Sequence, residues 1–377
     1  MNFWDAWEIL RRQEKVTVCG LISGTSADGI DVAVVEFWGP LEALEHRMTR
    51  ARCVAYSPET QAVVKRAPSL SAAEVSALDR LVALDFAKAA RETGLGGVDL
   101  VGSHGQTVFH HSGKTGVNSS LQLGCGDTLA VELEMPVVHD FRAKDIALGG
   151  EGAPLTPATD WLLYRHKVGE GSALVNLGGI ANVTLFGSTV EETVGFDTGP
   201  ANCVVDRLVR LMTSGELDYD KDGAIAASGT VDEFVLSDLL SDDAFARAKP
   251  PKSTGFETYG DAFVSGLVKR FGPPTADLVA TLTAYSAECL ATALRTVRSV
   301  DRLVLAGGGA HNPVLIRQIQ ERTGFACVKG EELGISTDSR EAVAFAALGY
   351  LFVRGWALDL SGVTGGQVGV LGRLSIG

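Results

Sequence analysis

The stretch Val16–Phe37, VTVCGLISGTSADGIDVAVVEF, holds two apolar runs separated by Gly, Ser, Thr and Asp. Residues 16–22 are apolar and β-branched, and residues 30–38 alternate before turning apolar, so the pair reads as a β-hairpin. Its connector, GTSADGID at 24–31, has Gly24 and Gly29 where backbone angles closed to other residues are needed. Alone, the connector reads best as a hairpin loop with Asp-Gly turn chemistry. A second, similar stretch changes its weight: SALVNLGGIANVTLF at 172–186 is again strand, small-residue turn, strand. Each opens a region of similar size with strands first and helices after, which suggests two related halves.

Outward from the first hairpin, a third strand is expected near 50–56 and a long helix over about 71–93. There Val75, Leu78, Leu81, Val82 and Phe86 recur at helical spacing. A short buried strand at 98–103 ends in His104-Gly-Gln-Thr107, at the kind of strand edge where α/β proteins place ligands. A strand near 136–139 leads to the Gly/Pro-rich loop 149–157, the expected inter-domain crossing. After the second hairpin come GFDTGPAN (195–202) and helices at about 203–213 and 275–298. A strand at 302–306, GGGAHN (307–312), a helix at about 312–322, a strand near 325–329 and a helix at about 338–354 follow. This alternation argues for α/β layers, with one domain over 1–155 and a second over 156–377.

Bulk composition narrows the function. The chain has 377 residues, 46% hydrophobic and 21% charged, which fits two globular cores. A net charge of −13 without a basic stripe argues against nucleic acid and anionic membrane surfaces as partners. The six cysteines are scattered with no CxxC pair, so reduced buried thiols are expected rather than disulfides or a zinc ribbon. The first fifteen residues read as an amphipathic lead-in helix, not a signal peptide, and no apolar run is long enough to span a membrane. A cytoplasmic location follows as the expectation.

Three small-residue stretches have the character of phosphate loops: 24–31, 195–202 and 307–312. None holds the Lys of a P-loop, and none is a GxGxxG opening a helix. In the first, Thr25 and Ser26 supply hydroxyls and amides, and Asp28 or Asp31 a carboxylate for Mg²⁺ through water. Asp197 follows an apolar run and suits a general base, or else the N-cap of the next helix beside Thr198 and Asn202. Glu341 reads as a first-turn acid favoured by the helix dipole. His104, Gln106 and Thr107 form a polar cluster suited to sugar hydroxyls, or else a satisfied loop. Phe141 and Arg142 suit stacking on a sugar and pairing with a carboxylate, or else a salt bridge between domains. His110 and His111 lack partners at zinc spacing, and no GxSxG elbow is present.

Taken together, the motifs resemble the anhydro-N-acetylmuramic acid kinase family over about Val16 to Gly372. They are GLISGTSADGID (20–31), SHGQTVFH (103–110), LQLG (121–124), DFRAKDIALGGEGAPLTP (140–157), VNLGGIANVT (175–184), GFDTGPAN (195–202), YDKDG (219–223), PPKSTG (250–255), GGGAHNP (307–313), GIS (334–336), EAVAFAALG (341–349) and SGVTGG (361–366). The resemblance implies an α/β fold of two actin-like (ribonuclease H-like) domains flanking a central nucleotide cleft. It implies an ATP- and Mg²⁺-dependent enzyme of peptidoglycan recycling, a homodimer, that opens a 1,6-anhydro sugar with water and phosphorylates O6. Carried onto this chain, Gly24, Thr25, Ser26, Ala27, Asp28, Gly29, Ile30 and Asp31 form the first phosphate hairpin. Gly178 and Gly179 belong to the second, and Gly307, Gly308, Gly309 and Asn312 to the adenosine-side loop. Asp197 resembles the catalytic base and Glu341 an acid near sugar and metal, with Asp28 a further metal candidate. His104, Gln106, Phe141 and Arg142 fall on the sugar side. Cys125 and Glu151 depart from the family pattern, which usually has Asp and Gln there. A kinase for levoglucosan is the nearest alternative, and a non-catalytic actin-like switch protein an alternative of another class.

Overall fold

β1 (Lys15–Ser23) and β2 (Ile30–Trp38) pair antiparallel from Lys15↔Trp38 to Ile22↔Asp31, so the sequence-predicted hairpin is the structural one. The computed structural model describes residues 2–377 apart from 25, 26, 28, 112–115, 170, 251, 298 and 299; of Pro68, Phe256 and Glu257 it describes the backbone alone. β3 (Glu45–Val54) adds antiparallel to β2 and starts five residues before the expected 50–56, because its exposed, charged first half lacks an apolar signal. β4 (Leu100–His111) and β6 (Val137–His139) add parallel to the other side of β1, and β5 (Ser119–Leu123) pairs with the far half of β4. The resulting order is β3-β2-β1-β4-β6.

The second sheet repeats it. β7 (Ser172–Leu177), β8 (Ile180–Leu185) and β9 (Val194–Pro200) form the antiparallel meander. β10 (Arg302–Ala306) and β11 (Ala326–Lys329) then add parallel, giving β9-β8-β7-β10-β11. Two sheets with the same meander and the same parallel additions define an actin-like repeat.

β1 explains why its sequence is continuously apolar. Side chains alternate across a strand, and both faces of β1 are covered. Cys19 and Leu21 join the core with Leu78, Val82 and Phe86 of the Ala72–Thr93 helix. Gly20 lies under Ala342 and Ala346 of the Arg340–Arg354 helix, and Val18 under Gly349 of the same helix. A strand buried on both sides has no polar face to show. In the second sheet Ala173, Val175 and Leu177 of β7 pack with Ala287, Leu290 and Leu294 of the Ala276–Arg295 helix.

The chain forms two compact units, and the first is discontinuous. Residues 1–164, 189–192 and 339–377 make one; 165–188 and 193–338 make the other. This differs from a division at 155/156. The Gly/Pro loop at 149–157 stays in the first unit, and the chain crosses inside the Thr156–Val168 helix instead. The last helix, Arg340–Arg354, belongs to the first unit because it covers β1, β2 and β4. β12 (Leu358–Leu360) and β13 (Gly366–Gly369) then form a ribbon, and β14 (Arg373–Ser375) closes the first sheet beside β6. The lead-in residues form the helix Phe3–Arg12, whose Trp7 meets Phe352 edge-on, with ring centroids 6.3 Å apart. Among the described residues, no helix is long and apolar enough to cross a membrane.

Candidate functional site

The two glycine-rich hairpins share one construction: side-chain amides draw their turn carbonyls inward. In the first, Gly24 O accepts Ala27 N–H at 3.0 Å and Gln106 Nε2–H at 3.0 Å. Gln61 Nε2 donates to Ala27 O at 3.0 Å, and Ser23 Oγ to Gly29 O at 2.7 Å. Ala27 adopts the left-handed φ of 53°, a conformation that a tight turn imposes on a non-glycine residue. Thr25, Ser26 and Asp28 lie outside the described residues. Gly24 is half-buried, Gly29 and Ile30 are buried, and Asp31 is half-buried on β2.

In the second hairpin, Gly178 O accepts Asn202 N–H at 3.1 Å and Asn202 Nδ2–H at 2.8 Å, and Leu177 O takes Nδ2 at 3.0 Å. Gly179 O accepts the N–H groups of Ala201 and Cys203. A loop that receives phosphate needs its amide dipoles, not its carbonyls, toward the anion. Carbonyls held inside the hairpins are one part of such an arrangement. Asn202 thus repeats the part of Gln106, and its side chain does not cap the following Cys203–Met212 helix.

The third loop is shaped by its glycines and by its own backbone bonds. Gly307 takes a φ of 81°, and a Cβ there would press on Asn176 and Leu177. Gly307 N–H donates to Thr337 O at 3.3 Å. Gly308 is exposed, with open space where a Cβ would stand, while Gly309 is buried against Leu177. Asn312, expected on the adenosine side, uses Oδ1 to cap the Pro313–Thr323 helix through Val314 N–H and Leu315 N–H at 3.0 and 3.1 Å.

Asp197 is half-buried in the middle of β9. Its Oδ2 accepts Thr254 N–H at 2.9 Å and Ser253 Oγ–H at 3.1 Å, and its own N–H donates to Lys252 O at 3.1 Å. The next helix, Cys203–Met212, has Asn202 at its N-cap position, so the N-cap alternative for Asp197 falls. Two donors on one oxygen orient the carboxylate. Glu341 is half-buried in the first turn of the Arg340–Arg354 helix. Glu341 belongs to the first unit and Asp197 to the second. Among the described residues, no group of three or more His, Cys, Asp or Glu side chains is arranged to hold a metal ion.

The expected sugar-side residues are re-cast by their partners. His104 is 4% exposed, and both its ring nitrogens are engaged: Nδ1 with Gly105 O at 3.0 Å and Nε2 with Arg142 Nε at 2.8 Å. Because Arg142 donates, Nε2 accepts and the Nδ1–H tautomer follows. Burial, then the Arg142 charge, holds the His104 pKa well below its ordinary value. His104 therefore orients Arg142 rather than offering a nitrogen to a sugar. Gln106 is 1% exposed; besides Gly24, it meets Thr107 O through Nε2 and the Tyr56 hydroxyl through Oε1. It is a buttress of the first hairpin, not a sugar ligand. Phe141 is 1% exposed and packs beside Phe345, with centroids 5.7 Å apart, so the expected stacking on a sugar is replaced by core packing. Arg142 remains half-buried at the start of the Phe141–Ala147 helix. The sequence reading missed Gln61, Asn202, Ser253 and Thr254 as site builders; the last two sit in PPKSTG, a motif whose hydroxyls were the available signal.

Paired actin-like sheets, each with an inward-drawn glycine hairpin and one bearing a carboxylate on its edge strand, define a phosphotransferase-type architecture. Among known proteins, the family model described as anhydro-N-acetylmuramic acid kinase matches residues 16–375. Relatives bearing that name include one from Synechococcus elongatus, 38% identical, covering 92% of this chain and 96% of its own length. One from Caldanaerobacter subterraneus subsp. tengcongensis is 35% identical over 98% of both chains. Another, from Streptomyces avermitilis, is 40% identical over 90% of this chain and 89% of its own. The chain belongs to the anhydro-N-acetylmuramic acid kinase family.

Proposed function

We propose that the chain is an ATP-dependent kinase that opens 1,6-anhydro-N-acetylmuramic acid with water and phosphorylates O6, yielding N-acetylmuramic acid 6-phosphate and ADP. The observation that carries this reading is Asp197: a carboxylate aimed by Thr254 N–H and the Ser253 hydroxyl, in a member of this family. An ordinary sugar kinase needs a base for a sugar hydroxyl; here the base serves water. Asp197 takes the proton as the water oxygen bonds to the anomeric carbon. The bond from that carbon to O6 breaks, O6 bonds to the γ-phosphorus, and ADP leaves. Proton removal by a positioned carboxylate is worth roughly 10²- to 10⁴-fold.

The chain's other residues bind and orient. The two hairpins present amide dipoles to ATP's phosphates without a P-loop lysine. The loop 307–312 serves the adenosine side, and Arg142, held by His104, serves the sugar side. The hard carboxylate oxygens of Asp197 and Glu341 suit Mg²⁺, which commonly takes one or two carboxylates plus phosphate oxygens rather than a protein cage. When bound, Mg²⁺ would neutralise charge on the transferring phosphoryl group.

A coupled ADP-release assay with anhydro-N-acetylmuramic acid, levoglucosan and N-acetylmuramic acid tests the proposal. The first sugar is expected to be used best. Preference for levoglucosan overturns the substrate, preference for N-acetylmuramic acid overturns the hydrolytic step, and no sugar-dependent ADP overturns the kinase reading.

A further inference from the structure

Three backbone and side-chain bonds tie Asp197 to one short loop, residues 252–254. That loop has no regular secondary structure of its own, so its position needs another cause. Lys252 supplies it. Its Nζ donates to the carbonyls of Phe245 at 2.9 Å and Ala246 at 3.1 Å, and sits 4.6 Å from the Phe245 ring centroid. Those carbonyls lie in the single-turn helix Ala244–Arg247. The last carbonyls of any helix lack intrahelical partners and favour a cation.

That turn is itself anchored. Asp243 Oδ1 accepts Ala246 N–H at 2.9 Å, while Oδ2 accepts the hydroxyls of Tyr259 at 2.8 Å and Tyr285 at 2.6 Å. Tyr285 is fully buried on the long Ala276–Arg295 helix. One turn further along that helix, the Cys289 thiol stands 3.8 Å from Asp243 Oδ2. A Cβ at Gly199 of β9 would come within 2.9 Å of Cys289 Cβ, so the strand carrying Asp197 rests on the same helix. The half-buried ammonium thus lies among Cys289, Asp243 and Asp197; burial lowers its pKa, and those three oppose that shift. A solvated surface lysine would make no such set of bonds.

We infer that Lys252 is a positioning residue for Asp197: its ammonium fastens the 252–254 loop, whose two donors aim the carboxylate. This rests on Asp197 being the base of the proposed reaction. Lys252→Met keeps the apolar stem and removes the charge, and Lys252→Arg keeps a cation. Steady-state kinetics with anhydro-N-acetylmuramic acid and amide hydrogen exchange are measured on the full chain. In Lys252→Met, kcat is expected to fall roughly 10- to 100-fold from misplacement, with both KM values within about twofold. Exchange is expected to quicken over residues 252–255 and not over the Ala276–Arg295 helix, and Lys252→Arg to restore most of kcat. If Lys252→Met does not fold, Lys252→Gln carries the same expectations. Unchanged kcat overturns the proposal, as does a loss accompanied by faster exchange through the long helix. Asp197→Asn runs alongside. Full activity there removes the base and Lys252's role with it; loss of activity there with a silent Lys252→Met removes Lys252's role alone.

Discussion

Gln106 uses both ends of its carboxamide inside the first unit, receiving the Tyr56 hydroxyl at Oε1 and holding Gly24 O with Nε2. Gln106→Glu keeps the shape but turns an acceptor toward Gly24 O. A buried acceptor facing an acceptor costs about 1–3 kcal/mol, so KM for ATP should rise roughly tenfold or more while the sugar KM changes less. An unchanged KM for ATP would show that the hairpin does not need this buttress. A second residue-scale prediction concerns pH. Burial first, then the charges of Arg142 and His111, lowers the His110 pKa from 6.5 to about 4. The unfolded chain then binds a proton that the native chain refuses. The penalty is absent above pH 6.5, grows as pH falls through the window, and levels off below about 4. His104, lowered by burial and Arg142, adds in the same direction. The thermal midpoint of the parent should fall relative to that of His110→Gln as pH drops from 6.5 toward 4; a constant difference across that range would sink the argument.

Among the elements, the Arg340–Arg354 helix approaches the first sheet through glycine. A Cβ on Gly20 would overlap Ala342 O, and one on Gly102 would overlap Phe345 O; both neighbours are helix backbone and have no rotamer to yield. Gly20→Ala and Gly102→Ala should each cost about 1–3 kcal/mol or more, the range for overpacking. Gly96→Ala is the control: a Cβ there meets nothing within 4 Å. It should be neutral or gain roughly 0.4–1 kcal/mol by restricting the unfolded chain. Urea midpoints decide, and equal effects at all three sites would refute the close approach. This packing also marks how far the sequence could be read. Strands β1 and β2 and the Ala72–Thr93 helix were legible within a residue or so, because their apolar spacing is strong. The repeated hairpin correctly announced two related sheets. The edge strand β3 and the short β12–β14 carry little apolar signal, and the sheet that the last helix covers was not readable at all. That helix is apolar nearly all round, from Ala342 to Leu351, and such a pattern says that it is buried, not against what. At the site, residue types were legible and their directions were not. His104, Gln106 and Phe141 have the chemistry of sugar ligands, yet their partners turn each of them inward.

For the whole molecule, the chain leaves the first unit after Tyr164 and returns for good at Ser339. Just inside each crossing stands one member of a buried ion pair, Asp160 and Arg340, 2.5 Å apart and 1% and 2% exposed at the side chain. Both belong to the first unit, so the pair joins the outgoing helix to the returning one there. Burying two charges is costly, and the attraction between Arg340 and Asp160 offsets part of that cost. Removing one partner strands the other: Asp160→Asn should lower stability by about 3–5 kcal/mol. Asp160→Asn with Arg340→Met should recover much of that loss, because no unpaired charge remains. The tryptophans give a selective readout. Trp4, Trp7, Trp38, Trp161 and Trp356 are all five of the chain's tryptophans, and all lie in the first unit. Tryptophan fluorescence during urea unfolding therefore reports that unit, while far-UV circular dichroism reports both. In Asp160→Asn the fluorescence midpoint should move to lower urea, and the double variant should move it back. If the single substitution leaves that midpoint in place, the pair does not hold the returning segment to the first unit, and the glycine contacts under the last helix must hold it unaided.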